Sequence, residues 1–428
     1  MTEAVLIDMF SVEFSSHYYC INQILSKAMD IVGKNNDPAI YIMYCQTFGC
    51  DSNDAREIFL RAIRSFQALK KRIEFIGTAS VAATLYNIKQ KLDEKNINKV
   101  KIILPQRRTC LMKAFLERLF TQVYTFEFEL LELNLVGNEI EKTVQPPSLE
   151  QTLTESQLEL VESDIHIFLG SLLGRGELTI LKSSLIPENV FKHGFTTRCG
   201  GVSYIPELSS LNLFSSSNRK DPPAVVAENL RRLSEAVGFN AKNFYLVKAA
   251  HANDVWIMGK KEPDSYDGIV TNQKGVTIAA PGADCIPLLF SDPVKKAFGA
   301  AHSGWKGTLL GAAMSTVNAM TSEYGSEMKD ILVVLGPSVG PCCFTLTQEE
   351  ARAFHDIDPR CVRQLESPNP YVDIRRATRI LLERGGILPT NIQDELVLCT
   401  SCNPDLFFSN TRDGESFGTQ IGFICAKN

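Results

Sequence analysis

Residues 1–140 alternate between short apolar runs and segments with helical periodicity, and this alternation constrains the fold most strongly. Four runs are rich in the β-branched and aromatic residues that strands favour: AVLIDMF, AIYIMYC, RIEFIG and VKIILP. Segments with the spacing of amphipathic helices separate or follow them: NQILSKAMDIV, DAREIFLRAIRSFQALKK, SVAATLYNIKQKLDEK and TCLMKAFLERLF. Such alternation predicts a parallel sheet covered by helices. We therefore expect a smaller α/β, Rossmann-like domain at residues 1–142.

The first predicted strand is not followed by a nucleotide-binding turn. A dinucleotide site in a domain of this type needs a glycine-rich turn there, where the backbone approaches the pyrophosphate. Here VLIDMF is followed by SVEFSSHYYC, which contains no glycine. We therefore expect this domain to act as a scaffold or to bind a protein partner.

A linker separates this domain from the rest of the chain. The segment EKTVQPPSLEQ, residues 141–151, has paired prolines and no periodicity, which is typical of a linker. A helix is predicted directly after it, because Thr154 and Gln157 have the spacing of a capping box. We assign residues 143–180 to a linker and connecting helix, and residues 181–428 to a catalytic domain.

Composition excludes several classes of protein. The chain has 428 residues with 44 basic and 49 acidic side chains, a net charge of −5 that is not typical of nucleic-acid binding. The start, MTEAVLIDMF, lacks the basic region of a signal peptide, and no run approaches the ~18 apolar residues of a membrane span. The twelve cysteines are irregularly spaced, as in proteins with reduced thiols. We expect a cytoplasmic protein with no membrane span and no nucleic-acid partner.

The stretch AAHSGWKG places one of only six histidines between a predicted strand and a predicted helix. AFGAAH has the pattern of a short strand, and WKGTLLGAAMSTVNAM that of one helix. His302 would then end the strand, and Ser303 would lie near the helix N-cap, where unpaired N–H groups favour an anion. Lys306 would add a positive charge in the first helical turn.

Two arginines lie in turn-like stretches. Arg198 stands just before Gly200 and Gly201 in KHGFTTRCGGVSYIP, and a guanidinium beside a glycine turn suits phosphate or a carboxylate. Taken alone, the stretch fits a hairpin loop with a surface arginine better. Arg412 and Asp413 lie in FFSNTRDG, which we expect to form a loop at the rim of a site.

Three candidate metal ligands lie at predicted strand ends beside turns: His251, Cys285 and His302. Two imidazoles and one thiolate suit Zn²⁺, with a fourth position open for water or substrate. The intervals of 34 and 17 residues are too long for a local zinc-binding motif. From spacing alone, three unrelated buried side chains or a Cys–His nucleophile pair fit as well.

Two further pairs of cysteines occur near the C-terminus. Cys342 and Cys343 are adjacent, and neighbouring side chains of an extended chain point to opposite sides, so at most one would face a site. Cys399 and Cys402 form a C-x-x-C pair, but a second pair with that spacing is absent from the sequence. We therefore expect no metal or redox function for C-x-x-C.

Four of these stretches carry the marks of a known family. TTRCGGVS, PGADCIPLL, AAHSGWKGT and LGPSVGPCCF occur in order within residues 181–428, and this part of the chain resembles the laccase-domain family, also called the purine nucleoside phosphorylase or polyphenol oxidase family. The additional N-terminal domain is similar to that of vertebrate members. The resemblance implies a layered α-β-β-α mixed sandwich, with His251, Cys285 and His302 as ligands of Zn²⁺ and copper as a weaker alternative.

The resemblance also implies an activity. It implies phosphorolysis of adenosine, inosine, guanosine and methylthioadenosine, with inorganic phosphate as co-substrate, and adenosine deamination at the same site. Asp284 is then a candidate proton carrier beside Cys285, although a turn-stabilising Asx bond explains it equally well. The expected catalytic residues are Asp284, Cys285 and His302. The expected substrate and phosphate contacts are Arg198, Ser203, Ser303, Lys306, Cys342 and Arg412.

Three departures from related chemistry are visible in the sequence. A multicopper oxidase needs His-x-His pairs to hold a blue copper and a three-copper cluster, and this chain has six histidines and no such pair. The His-x-Glu and Pro-Cys-x-x-Cys signature of zinc deaminases is also missing. Ala250 stands where relatives often carry a polar residue, which leaves a supporting contact of the His251 ligand open.

Two other functions stay open at this point. A one-copper or thiol-based oxidoreductase could use His251, Cys285 and His302, but it would consume oxygen and be indifferent to phosphate. A non-enzymatic scaffold could act through the N-terminal domain, with the second domain vestigial.

Overall fold

The structure is a computed structural model, and it describes residues 3–10, 26, 38–46, 73–131, 152–395 and 398–427. Two compact units make up the chain: Met1–Leu172 with Ser216–Val225, and Leu173–Ser215 with Val226–Asn428. Apart from Ser26, the helices predicted at residues 22–32 and 54–71 lie outside the described residues. The predicted linker at residues 141–151 also lies outside them.

The first unit contains a five-stranded, wholly parallel sheet. Its strands, in spatial order, are β3-β2-β1-β4-β5, the order of a Rossmann-like sheet. All four strands predicted from apolar runs are confirmed. The fifth was not predicted, because its pattern TFEFELL mixes glutamates with phenylalanines. The bounds are β1 Glu3–Asp8, β2 Ala39–Cys45, β3 Ile73–Thr78, β4 Lys99–Pro105 and β5 Thr125–Leu131.

Three helices of the first unit are described. They are α1 Val81–Glu94, α2 Thr109–Leu119 and α3 Glu155–Ser171. Helix α3 begins with the predicted capping box, since the Thr154 hydroxyl accepts from the Gln157 N–H and the Gln157 side chain accepts from the Thr154 N–H. It packs against α1 and α2, so it belongs to the first compact unit.

The second unit contains two larger sheets. A six-stranded sheet has the order β17-β14-β12-β13-β10-β9, and a five-stranded sheet has the order β6-β7-β18-β11-β8. Five of their strands are β10 Gly268–Thr271, β11 Thr277–Gly282, β12 Ile286–Asp292, β13 Ala297–Ser303 and β18 Gln420–Ala426. The remaining strands of the two sheets are β6 Ile180–Leu181, β7 Phe191–Thr196, β8 Phe244–Leu246, β9 Val255–Ile257, β14 Leu332–Leu335 and β17 Ile392–Gln393.

Apolar residues fill both faces of these sheets. Along β12, Leu289 joins a core that also contains Phe195 and Ile424 of the five-stranded sheet, so this core lies between the two sheets. Ile286 and Phe290, at alternate positions, join a second core under the helices. Both faces of β12 are buried, as in sheets covered on both sides.

Helices cover the outer faces of both sheets. Helix α4, Pro223–Val237, packs on the five-stranded sheet through Leu233. The six-stranded sheet is covered by helices that include α6 Ala312–Tyr324, α7 Gln348–Ile357 and α8 Ile374–Arg384. The expected α-β-β-α mixed sandwich is confirmed. Short elements complete the unit: α5 Trp305–Leu310, α9 Asn410–Asp413, β15 Val362–Arg363 and β16 Tyr371–Val372. Among the described residues, the 3₁₀ helices are Gln106–Arg108, Pro206–Leu208, Ala241–Asn243, Pro359–Cys361, Pro389–Asn391 and Gly414–Ser416.

The helix predicted after His302 is broken in two. Gly311 adopts the left-handed conformation with φ 79°, which ends α5 and begins α6. The N-cap of α5 is Gly304, whereas Ser303 is the last residue of β13. The helix start at which an anion site was predicted therefore belongs to α5, which has only six residues. Among the described helices, none combines the length and apolar character that crossing a bilayer requires.

Candidate metal centre

Strand register brings Cys285 to the end of β13. Strands β12 and β13 are antiparallel, and Ile286, the first residue of β12, pairs with Ser303. One residue beyond this pair, Cys285 lies next to Gly304. A methyl group on Gly304 would be 2.9 Å from the Cys285 Sγ atom. The local hydrophobic pattern therefore favours the two strands, and their pairing places the Cys285 thiol beside Gly304.

The same ladder brings Asp267 to His302. Asp267 immediately precedes β10, whose first residue, Gly268, pairs with Ala301. The His302 N–H donates to the Asp267 carbonyl at 2.8 Å and extends the ladder by one step. The His302 Nδ1 atom lies 2.8 Å from the Asp267 Oδ1 atom. Because a carboxylate accepts here, Nδ1 carries the proton, and Nε2 is left to act as a ligand.

Asp267 also holds the loop that carries His251. Its carboxylate accepts the backbone N–H groups of Ala250, His251 and Ala252, at 3.0, 3.1 and 2.8 Å. His251 has φ 58°, a left-handed conformation that non-glycine residues seldom adopt. The supporting contact that the sequence left open at Ala250 is therefore made by the Ala250 backbone N–H, which donates to Asp267 and needs no polar side chain.

His251, Cys285 and His302 converge. One ligand atom of each lies within 4.8 Å of those of the other two. The imidazole rings of His251 and His302 have centroids 4.8 Å apart and cross at 76°. Donor atoms around one zinc ion lie about 3–4 Å apart, so this set fits a single Zn²⁺ with only small side-chain adjustments. His251 is exposed and His302 buried, so an ion here would be reached from the His251 side.

Charge within the group favours the ionised forms. Burial raises the pKa of the Cys285 thiol, but the positive charge of His302 and hydrogen bonding to both histidines outweigh it and lower this pKa to about 6. Burial lowers the pKa of the His302 imidazole, but the charges of Cys285 and Asp267 outweigh it and raise this pKa to about 9. Without an ion, a thiolate–imidazolium pair therefore prevails at neutral pH.

Gly304 closes one side of the metal centre. A methyl group there would be 2.9 Å from both the Cys285 Sγ and the His251 Nδ1 atoms. Real Cβ contacts are longer than this, so only glycine allows the thiol and the imidazole to approach each other across this backbone.

Asp284 is held by segments from elsewhere in the chain. Its carboxylate accepts from the Thr400 hydroxyl at 2.6 Å and from the Thr411 N–H at 2.6 Å, and its carbonyl accepts from the Val339 N–H at 3.0 Å. Asp284 is buried and has φ 93°. Its carboxylate thus joins the turn at Thr400 and the short helix α9 to the turn that carries Cys285, and the stretch of Arg412 and Asp413 that was expected to be a loop forms this helix.

Comparisons with known proteins decide the family. Residues 192–427, more than half of the chain and all of the candidate metal centre, match the family described as "Multi-copper polyphenol oxidoreductase laccase". The chain belongs to this family. The family's name refers to several copper ions, but this chain contains none of the His-x-His pairs that a multicopper centre needs.

Laccase-family relatives resemble the chain over different lengths. Human "Purine nucleoside phosphorylase LACC1" is 55% identical over the whole of both chains. "Purine nucleoside phosphorylase YlmD" of Bacillus subtilis is 32% identical and covers 55% of this chain and 88% of its own. The crystal structure of YlmD from Geobacillus stearothermophilus superimposes with a TM-score of 0.51 at 29% identity, covering 56% of this chain and 92% of its own.

The two arginines expected to bind phosphate, Arg198 and Arg412, donate to backbone carbonyls. Arg198 stacks on the Phe408 ring and donates to the carbonyls of Ser209, Pro404 and Pro206, at 2.9, 2.7 and 2.8 Å. Arg412 pairs with Asp413 at 2.6 Å and donates to the carbonyls of Thr400 and Phe407. These bonds occupy most of the donors of Arg198 and essentially all those of Arg412.

The expected serine and lysine contacts lie in different surroundings. Ser203 is buried and accepts from the Asn229 amide at 3.0 Å. Ser303 is buried, with its hydroxyl 3.0 Å from that of Thr308 inside α5. Lys306 is exposed, and its ammonium lies 5.2 Å from the centroid of the Trp305 ring. Of the three, only Lys306 presents its polar group to solvent.

Cys342 lies in a second group of cysteines. The Sγ atoms of Cys342, Cys343, Cys399 and Cys402, hereafter the four-cysteine cluster, all lie within 4.8 Å of one another. The extended conformation assumed for the adjacent pair does not occur. Both the Cys343 and Phe344 N–H groups donate to the Gly340 carbonyl, so the chain turns here and both thiols face Cys402.

Sequence reasoning missed two residues of the metal centre. Asp267 carries no motif of its own, and it reaches His302 only through the pairing of β10 with β13. Gly304 lies within the quoted stretch AAHSGWKG, but its requirement for glycine depends on the neighbouring Cys285 and His251. A single acidic residue preceding the apolar run GIVT was the available signal for Asp267.

Proposed function

We propose that the chain is a purine nucleoside phosphorylase. Its substrates in this proposal are adenosine, inosine, guanosine and methylthioadenosine, each cleaved by inorganic phosphate to a free base and the pentose 1-phosphate. The convergence of His251, Cys285 and His302 carries the proposal, since it occurs in a chain alignable along its whole length with a relative named for this activity.

The proposed cofactor is Zn²⁺, held by His251, Cys285 and His302. The donor set of two imidazoles and one thiolate fits zinc better than a multicopper centre, and three protein ligands leave one position open, as in catalytic zinc sites. A zinc ion bound there supplies a Lewis acid that polarises a substrate oxygen or lowers the pKa of a water molecule.

The surrounding residues position the ligands. Asp267 fixes the His302 tautomer through Nδ1 and, through three N–H groups, fixes the loop that carries His251. Both oxygens of Asp284 already accept hydrogen bonds from Thr400 and Thr411. We therefore assign Asp284 to positioning Cys285 rather than to carrying a proton.

Phosphate needs a positive group near the open side of the metal centre. Lys306 supports this role best, because its ammonium is exposed and it lies two residues after Gly304. Arg198 and Arg412 are assigned to holding the loops at residues 206–209 and 400–407, since their donors are directed at those carbonyls. Ser203 and Ser303 are buried and support the fold around the site.

Adenosine deamination at the same metal centre is the second part of the proposal. It would convert adenosine to inosine without phosphate. The two reactions therefore separate cleanly by product: the phosphorylase yields adenine and a sugar phosphate, and the deaminase yields inosine.

The experiment incubates the purified full-length chain with adenosine or inosine, with and without phosphate, and separates the products by chromatography. We expect phosphate-dependent adenine or hypoxanthine, and we expect Cys285→Ala to abolish it. Cys110→Ser, a half-buried cysteine of the first unit, is the matched control and should retain activity. Absence of turnover in metal-loaded wild-type protein would refute the phosphorylase.

One rival has a structural observation behind it. The thiolate–imidazolium pair of Cys285 and His302 is also the arrangement of a cysteine nucleophile or a thiol-dependent oxidoreductase. Oxygen consumption in the same incubations distinguishes an oxidoreductase from the phosphorylase, because an oxidoreductase consumes oxygen independently of phosphate. The partner-binding role of the N-terminal domain remains our proposal for the first unit.

A further inference from the structure

Two segments distant in sequence bring the four-cysteine cluster together. One is the turn that begins at Gly340. The other begins at Cys399, which forms an isolated parallel bridge with Ser338, and it continues into a turn in which the Asn403 amide donates to the Cys399 carbonyl at 2.8 Å. Backbone pairing between the segments therefore fixes the cysteines of one relative to those of the other.

The sulfur positions fit one tetrahedral metal ion. The Cys402 Sγ atom lies 3.5 Å from that of Cys342 and 3.3 Å from that of Cys343. Four thiolates bound at about 2.3 Å to one Zn²⁺ lie about 3.8 Å from each other. All four thiols are free, and the two distances are far longer than the ~2.05 Å of a disulfide. A polynuclear cluster would need sulfurs much farther apart, because several metal atoms lie between them.

A backbone N–H and one buried arginine lie beside the cluster. The Gly340 N–H donates to the Cys399 Sγ atom at 3.2 Å, as backbone amides do to metal-bound thiolates. Arg375 is only 5% exposed, and its Nη1 atom is buried without a hydrogen-bond partner among the described residues. Its guanidinium lies beside Gly340, where a methyl group would be 3.5 Å from Nη2 and 3.2 Å from the Cys342 Sγ.

A buried arginine with an unused donor needs a compensating charge. One Zn²⁺ ion with four thiolates carries a net charge of −2, which would supply that compensation. Asp373 supplies part of that compensation, and Arg375 also lies within electrostatic range of Cys399 and Cys342. The orphaned donor and the sulfur positions are separate observations, and both indicate an anionic metal–thiolate centre at this place.

We propose that the four-cysteine cluster binds a second Zn²⁺ ion in a closed, structural site. With four protein ligands the ion has no open position, so it takes no part in the chemistry at His251, Cys285 and His302. The site is formed only in the folded chain, because its two halves are about 60 residues apart.

The proposed ion would fix the segments that support Asp284. The Val339 N–H donates to the Asp284 carbonyl, and the Thr400 hydroxyl donates to its carboxylate. Val339 is adjacent to Gly340 in the first cysteine segment, and Thr400 follows Cys399 in the second. Cross-linking the two segments through one ion therefore fixes two of the three contacts of Asp284, the residue that precedes Cys285.

The first test counts zinc in full-length protein purified under reducing conditions, by elemental analysis. We expect two ions per chain in wild type, one in Cys402→Ser, one in Cys285→Ala and none in the double variant. Cys110→Ser should keep both ions. Undiminished zinc in Cys402→Ser relative to wild type would overturn the proposal, and so would a disulfide within the cluster in zinc-replete, reduced protein.

X-ray absorption of the Cys285→Ala variant is the second test, and it does not depend on the folding of a cluster mutant. The remaining zinc should show a shell of four sulfurs at about 2.3 Å and no nitrogen. A zinc coordination shell that contains histidine nitrogen, or a Cys285→Ala protein without zinc, would overturn the proposal. This result is independent of whether the chain turns over nucleosides.

Discussion

The Nδ1–H of His302 donates to the Oδ1 atom of Asp267 at 2.8 Å, and the same carboxylate accepts the N–H group of His251. One side chain therefore orients two candidate ligands that are 51 residues apart. Asp267 is buried, and although burial raises the pKa of its carboxyl, the bonds from His302, Ala252 and Ala250 keep that pKa below its usual value.

Replacing Asp267 should therefore weaken metal binding. In Asp267→Asn the negative charge is lost, and an amide NH₂ group faces backbone N–H donors. We expect zinc affinity to fall about 10- to 100-fold, the range for loss of such an orienting partner, measured by competition with a chromophoric chelator. Asp254→Asn, an exposed carboxylate of the same loop, is the control and should bind as wild type. Equal affinities in the two variants would contradict the role of Asp267.

A methyl group at Gly304 should displace the ligands. Gly304→Ala places a Cβ atom 2.9 Å from Cys285 Sγ and His251 Nδ1, so relieving the overlap should cost about 1–3 kcal/mol and lower zinc affinity about tenfold or more. Calorimetric titration measures the affinity, and circular dichroism checks the fold. Gly170→Ala, on a helix with nothing within 4 Å of the new methyl, should leave affinity unchanged and stabilise α3 slightly. Unaltered zinc binding in Gly304→Ala would show that the backbone moves freely there.

Zinc uptake should release a proton at mildly alkaline pH. Between about pH 6 and pH 9, Cys285 is a thiolate and His302 an imidazolium, so binding displaces one proton from this pair. Affinity should consequently rise about tenfold per pH unit in that range and more steeply below it, where the thiol is protonated too. Titration calorimetry of the Cys402→Ser variant, which lacks the proposed second zinc site, at pH 8 in buffers of different ionisation enthalpy counts the protons. Zero release at pH 8 would mean that the imidazolium is absent.

Removing the Thr400 hydroxyl should loosen the turn at Asp284. Thr400→Val leaves one oxygen of a buried carboxylate unpaired, which costs about 1–3 kcal/mol of folding free energy. Denaturant unfolding measures this loss, and turnover should fall with it if Asp284 positions Cys285. Thr390→Val, at an exposed threonine, serves as the control. Activity that is unchanged despite the lost stability would separate Asp284 from the metal centre.

Local pattern was sufficient for much of this protein. Short apolar runs predicted β1 to β4, and predicted strand ends beside turns singled out His251, Cys285 and His302. Each of these signals is contained in a few consecutive residues, so it can be read without knowledge of the tertiary fold. The resemblance of four motifs to one family then predicted the layered sandwich.

What the sequence could not show depends on pairing between distant segments. Asp267 meets His302 through strand register, and Arg198 meets Pro404 across 206 residues. C-x-x-C has no second pair with its spacing in the sequence, and Cys342 and Cys343 were expected in an extended chain, whereas a turn brings both to Cys402. Each miss concerns where a side chain points after tertiary folding.

The antiparallel pairing of β10, β12 and β13 has a consequence for synthesis of the chain. All three candidate catalytic ligands, with Asp267 and Gly304, lie within the 54 residues from His251 to Gly304. Two of the three contacts that hold Asp284 come from Thr400 and Thr411, which are synthesised 96 and 107 residues after Gly304. A nascent chain can therefore present its complete ligand set before these two contacts exist, and a chain truncated ahead of Cys399 would retain every ligand and the Val339 contact without them.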